Sequence, residues 1–223
     1  MTDASDITAL DLAALLASRV CHDIISPVGA ITNGLEVLEE ESSEEMRTFA
    51  MDLIRKSARQ ASAKLQFARL AFGAAGSAGA EIDLGDAENV ARGFMAGEKA
   101  NLEWTAQRVL MAKNKVKLLL NLVLVSTHAV PRGGTIHVTV TGPADRPTFG
   151  LLCRGTNARI PPNVEGFLSG QLGEHNPDAH MIQPIYAGLL ARAAHMAVSV
   201  AKVGDDVEFR AEPVAVEVSP VEA

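Results

Sequence analysis

At 223 residues, 48% of them hydrophobic, the chain has enough apolar material for one large or two small folded domains. A formal net charge of -7 and a pI near 5.4 argue against nucleic acid as the main partner, because a polyanion demands a basic face; protein partners are expected instead. Cys21 and Cys153 are too few for a disulfide framework, the acidic start lacks the basic and apolar blocks of a signal peptide, and the apolar run 118–125 falls far short of the ~20 residues of a membrane helix, so a soluble cytoplasmic protein without membrane association is expected.

The first element is a helix over about 10–39, roughly 45 Å long. Ala14, Ala17, Cys21, Ile24, Val28, Ile31, Leu35 and Leu38 fall at alternating spacings of three and four, which makes an apolar seam with Cys21 inside it and His22 one step off, on the flank. Pro27 removes a backbone donor and is expected to kink or loosen the helix near Asp23. The acidic turn 39–45 follows, where Ser42 and Glu45 have capping-box spacing and start a second helix seamed by Met51, Ile54, Ala58, Ala61, Leu65, Ala68 and Phe72. Two seamed helices make an antiparallel hairpin over 1–73 that cannot enclose a core alone, so self-association into a four-helix bundle, a homodimer, is expected.

Residues 74–80 are small and free of periodicity, which marks a linker. Beyond it the pattern alternates. A strand is expected at 81–84, a helix capped by Asp86 running to about 97, a strand at 102–105, a helix over about 114–128 and a turn at 131–134. Strands at 135–141 and 148–153 then form a hairpin, followed by a helix at about 182–194 and short strands near 197–203 and 207–210. The fold class is α+β: the helical hairpin, then an α/β two-layer sandwich over 81–212 with a mostly antiparallel sheet covered on one face, then a flexible tail at 213–223.

His22 is the chemical candidate. Arg19 at i-3 and Ser26 at i+4 share its helix face, and a cation and a hydroxyl beside an imidazole suit a phosphoryl group that the ring nitrogen attacks. Asp23 is about 100° round the helix and reaches the ring only through local distortion or from another chain. Cys21, His22 and Asp23 are all ligand types, but consecutive helical residues diverge and cannot converge on one metal ion. The other histidines show no ligand spacing. A docking surface is expected around Arg19, Ser26 and Asn33, with the second domain as a side wall.

The stretch His22-Asp23-Ile24-Ile25-Ser26-Pro27-Val28 resembles the H-box of sensor histidine kinases, in which an acidic residue follows the histidine and a small hydroxylated residue and proline stand four and five positions on. Leu120-Asn121-Leu122-Val123-Leu124-Val125, with Pro131-Arg132-Gly133-Gly134 behind it, resembles the N-box of their ATP-binding domain. That domain is degenerate here. Val125 stands where the kinases place a magnesium-binding asparagine and His128 where a lysine commonly follows. In the glycine box Gly155 replaces the aspartate, and Asn157 and Arg159 the two glycines; residues 180–184 lack a glycine-rich phosphate loop.

An H-box helix joined to an eroded nucleotide site resembles the ChpT histidine phosphotransferases, and the likeness covers nearly the whole chain, including Arg19 to Asp23 and residues 65–69 and 71–74. The resemblance implies a phosphorelay phosphotransferase in which His22 takes a phosphoryl group from the receiver domain of a hybrid kinase and passes it to response-regulator receivers of a cell-cycle relay. It implies no cofactor of its own, with Mg2+ carried by the partner receiver. A non-catalytic dimeric receiver adaptor and an autophosphorylating histidine kinase are the alternatives.

Overall fold

The computed structural model describes residues 2–3, 7–40, 43–73, 80–173 and 181–214. Helix α1 spans Ala9–Glu40 and helix α2 spans Glu44–Ala71, and the two pack as an antiparallel hairpin. Thr8 caps α1: its Oγ1 accepts from the Asp11 amide at 3.1 Å and donates to the Asp11 carboxylate at 2.6 Å, so the helix starts with its own reciprocal lock. The expected cap at Ser42 lies outside the described residues; Ser43 is the N-cap, one position later. At the hairpin tip the Arg47 guanidinium donates to the Leu38 carbonyl at 2.6 Å, which satisfies one of the acceptors left open at the end of α1.

The inner face of α1 differs from the expected seam by one helical step. Val20, Ile24, Pro27, Ile31, Gly34 and Leu38 turn inward, whereas Cys21, Val28 and Leu35 are exposed, as is Ile25, with 71% of its surface open. The reason is packing distance. A Cβ added to Gly34 would lie 2.7 Å from Cγ1 of Ile54 and 3.3 Å from the Ala50 carbonyl, so only glycine lets the helices approach this closely, and Ala50, Ser57 and Ala61 of α2 are the small residues buried along its length. Val28 and Leu35 of the stripe are left outside, with Met51 and Leu65 of α2. Pro27 is buried and α1 runs through it without a break. By length and mean hydropathy α1 is also the one described helix apolar enough to cross a membrane.

The second unit is built on a five-stranded sheet. Strand β2 (Glu81–Asp83) pairs with β4 (Leu110–Ala112) in a separate small ladder, while β1 (Thr2–Asp3) pairs with β7 (Gln171–Gly173). The main sheet runs β3 (Ala100–Thr105), β5 (Gly134–Thr141), β6 (Thr148–Arg154), β9 (Asp206–Pro213), β8 (Met196–Val203); β3 and β5 are parallel and the other neighbours antiparallel. Ile136, Val138, Phe149, Leu151, Cys153, Val207, Phe209 and Ala211 alternate onto one face, where helices α3 (Leu84–Met95), α4 (Lys113–Thr127) and α6 (Ile182–Ala193) build the core with them. Every residue of α4 from Val116 to Ser126 is buried. The opposite face is polar, and Thr105 Oγ1 meets His137 Nε2 there at 3.0 Å.

Several boundaries moved. Asp83, not Asp86, caps α3, its carboxylate accepting from the Gly85 amide at 2.6 Å, because β2 ends one residue before Leu84 opens the helix. The strands β1, β4 and β7 and the six-residue helix α5 (Val164–Ser169) were not anticipated. They are too short to show a period, and α5 is delimited by Asn163 and Gly170 in left-handed conformations, a feature of backbone geometry more than of composition. Strand β9 continues through Pro213 and Val214 donates to the His195 carbonyl at 3.0 Å, so the carboxyl-terminal tail cannot start before 215. Residues 74–79 of the expected linker lie outside the described residues.

Cys153 yields a pH prediction. Burial pushes its thiol up to about 12 from an ordinary 9.0, with the Ser126 side chain opposing the shift and the nearby Asp206 adding to it. A raised folded-state value means that the group's contribution is fully present below pH 9.0 and is lost as the pH climbs towards about 12, where the unfolded chain sheds the proton first. Urea unfolding between pH 8 and 11 is expected to show a decline in stability that is shallower in Cys153→Ala; equal slopes would mean that the thiol is solvated.

Candidate functional site

His22 projects from the flank of α1 with 60% of its side chain open to solvent, while Asp23 and Arg19 retain only 19% and 11%. The three side chains form a line. His22 Nδ1 lies 3.4 Å from Asp23 Oδ1, and the other carboxylate oxygen, Oδ2, accepts from Arg19 Nε at 3.1 Å. The i,i+4 spacing of Arg19 and Asp23 explains the second link. By holding one carboxylate oxygen, the guanidinium turns the other towards the ring, and so a residue adjacent in sequence reaches His22 without any break in the helix. This corrects two expectations: Asp23 needs neither local distortion nor a second chain, and Arg19 is mostly covered and committed to Asp23 in place of standing exposed beside the imidazole.

Ser26 and Asn33 are both exposed on α1, Ser26 one turn beyond His22 on the same flank. The imidazole, the hydroxyl and the amide therefore lie on an accessible surface, whereas the charged pair lies under it. Among the described residues no group of three potential metal ligands converges, at His22 or elsewhere.

The buried side of the His22 turn is where the two units of the chain meet. Val20, Asp23 and Ile24 of α1 line a narrow cleft with Lys64, Phe67, Ala68 and Phe72 from the end of α2, Phe94 of α3 and Leu124 of α4. Phe67 is buried against Phe94, ring centroids 4.6 Å apart, and the Lys64 ammonium lies 5.8 Å from the Phe94 ring centre and 3.7 Å from Glu98. Lys64 was not singled out from sequence; its only signal is its place beside the apolar seam of α2.

The residues that resemble an N-box serve packing. Val125 is buried in the core. The Asn121 amide donates to the Ala71 carbonyl at 3.1 Å and to the Lys117 carbonyl at 2.7 Å, and its oxygen accepts from the Gln183 amide of α6. In the stretch compared with a glycine box, Gly155 sits against the Gly133 carbonyl, which a Cβ would meet at 2.5 Å, Asn157 adopts a left-handed conformation, and the Arg159 amide bonds to the Ala129 carbonyl at 3.0 Å, its side chain exposed.

The sequence profile of the histidine phosphotransferase C-terminal domain matches residues 84–206. The protein phosphotransferase ChpT of Brucella abortus (strain 2308) is 52% identical over 206 residues, which is 92% of this chain and 97% of that protein. The chain belongs to the ChpT histidine phosphotransferase family. A solved bacterial phosphotransferase agrees in three dimensions, with a TM-score of 0.86 at 49% identity over 95% of this chain and all of the other. Membership of this family establishes the chain as a phosphotransferase built as a helical hairpin followed by an α/β sandwich.

Proposed function

We propose that this chain is a phosphorelay intermediate, in which His22 takes a phosphoryl group from an aspartyl phosphate on the receiver domain of a hybrid histidine kinase and hands it to receiver domains of response regulators, without using ATP. The observation that carries the reading is the line from the exposed imidazole through Asp23 to Arg19. With its Nδ1 proton on the Asp23 carboxylate, the neutral ring presents the Nε2 lone pair outward. Attack by Nε2 on phosphorus forms the N–P bond as the receiver's acyl O–P bond breaks, and the electron pair leaves with the receiver aspartate. The ring becomes cationic, and Asp23, braced by Arg19, is placed to stabilise that charge. Reversal of the same step discharges the group onto the next receiver. Magnesium is expected to come with the receiver, and Ser26 and Asn33 to belong to the docking surface.

Burial of Val125 and Asn121, with Gly155 in place of an adenine-reading carboxylate, supports a source of phosphate other than ATP. The proposal divides the chain into the hairpin, 1–73, and a degenerate kinase-like domain, 81–212, and places it in the cytoplasm. The test is transfer of label from a phosphorylated receiver to His22, with ATP and magnesium alone as the comparison.

Asp23→Asn keeps the shape but removes the charge that stabilises the ring cation. Transfer is expected to slow by about 10²-fold, within the range for a positioned acid–base partner, with receiver affinity little changed; a rate within twofold of the wild type would remove Asp23 from the mechanism.

The exposed half of the α1 and α2 stripe, Ile25, Val28, Leu35, Met51 and Leu65, supports a homodimer that closes a four-helix bundle. Light scattering at micromolar concentration is expected to give twice the chain mass, and Val28→Glu with Leu35→Glu to give a monomer; a monomeric wild type refutes the bundle.

A further inference from the structure

The end of α2 is held by α4 in an unusual way. A helix leaves its last carbonyls without intrahelical donors, and that of Ala71, with those of the C-cap Phe72 and of Gly73 just beyond, is taken by two side chains of α4: the Asn121 amide donates to Ala71, and the Lys117 ammonium to Phe72 at 3.5 Å and to Gly73. Both side chains are buried, at 6% exposure or less. Burying a lysine inside an otherwise apolar helix is costly unless a geometry depends on it. A third helix completes the junction, since Gln183 of α6 donates to Asn121 and Tyr186 packs its ring 5.8 Å from that of Phe72.

This clasp sits where the hairpin hands over to the sheet domain, and α4 carries it onward to the site. Leu124, one turn beyond Asn121, lines the cleft behind the His22 turn together with Val20, Asp23 and Ile24. One rigid helix therefore touches the exit of α2 at one end and the buried side of the phosphoacceptor turn further along.

We infer that Lys117 and Asn121 are positioning residues for phosphotransfer: by clasping the last carbonyls of α2 they set where the sheet domain stands relative to the His22 face of α1, and so the width of the seat that a receiver must fit. The inference rests on the proposed receiver-to-receiver function. A receiver that touches only the hairpin would not sense the joint; one that leans on both units would lose affinity when the joint loosens, although His22 itself would be unaltered.

The experiment uses the full chain as wild type, Lys117→Met, Lys117→Arg and Asn121→Ser, with Ile136→Val, a core change in the sheet that leaves the clasp's hydrogen bonds in place, as a control for lost stability. Two donors are compared: a phosphorylated receiver domain, which must dock, and phosphoramidate, which phosphorylates an exposed histidine without docking. For Lys117→Met the KM for the receiver is expected to rise about tenfold, equivalent to ~1.4 kcal/mol of binding, with kcat and the phosphoramidate rate within about twofold of the wild type. Lys117→Arg, which can still donate to both carbonyls, is expected to recover most of the loss, and Ile136→Val to leave KM unchanged. Should Lys117→Met not fold, Asn121→Ser decides in its place by the same readout. An unchanged KM in a folded variant overturns the inference, as does a parallel fall in receiver and phosphoramidate rates or an equal rise in KM for Ile136→Val. A wild type that is labelled by phosphoramidate but exchanges with no receiver refutes the function itself, an outcome visible before any variant is compared.

Discussion

In a transfer assay His22→Ala is expected to take no label from a phosphorylated receiver, a loss of at least ~10³-fold, while the wild type is labelled and ATP with magnesium labels neither. The size of the effect follows from the site. A nucleophile is the one group whose removal leaves no path to the covalent intermediate, whereas residues that orient it reduce a rate. The other described histidines stand apart from that site: His137 is engaged on the outer face of the sheet with Thr105, His128 caps the end of α4 and His195 follows the end of α6. His22→Ala removes no buried volume, since the ring is mostly exposed, so unfolding midpoints should match and a lost signal cannot be ascribed to misfolding. Label that persists in the variant would place the phosphoacceptor elsewhere, and label taken up from ATP by the wild type would restore the kinase reading.

Phe67→Ala is expected to cost about 3–5 kcal/mol in urea unfolding, among the larger single-residue effects available in this chain. Phe67 is 1% exposed and fills the junction of α2 with α3, its ring on that of Phe94. Few atoms around it can collapse into the void, because Lys64 on one side is tied to Glu98 and the end of α2 on the other is clasped by Lys117 and Asn121. Against a total stability of typically 5–15 kcal/mol such a loss is visible even at room temperature. A cost below 1 kcal/mol would mean that hairpin and sheet domain are not packed together in solution.

Much of this molecule was legible in the residues. The two long helices, their antiparallel pairing, the helix now bounded as Lys113–Thr127 and the Gly134–Thr141 and Thr148–Arg154 hairpin all carry periods sustained over enough residues to stand out from noise. His22 could be singled out because its neighbours at helical spacing are chemically suited to it. What could not be read was the exact facing of each helix. Cys21 and Val20 are both apolar and adjacent, and which of them turns inward is settled by the contact of Gly34 with Ile54, residues distant along the chain. Nor could the role of Asn121 be read, since its partners Ala71 and Gln183 lie 50 and 62 positions away.

Read alone, the residues located most of the helices and strands and a histidine on the flank of the first helix, in a stretch that resembles an H-box. Those are properties of local spacing and residue type. Only packing showed that Asp23 rather than Arg19 meets the imidazole, that Cys21, Val28 and Leu35 of α1 face outward, and that Lys117 and Asn121 clasp the end of the hairpin. Each of these depends on distances between groups brought together only by packing, where one helical step of about 100° changes which side chain is buried and which is presented.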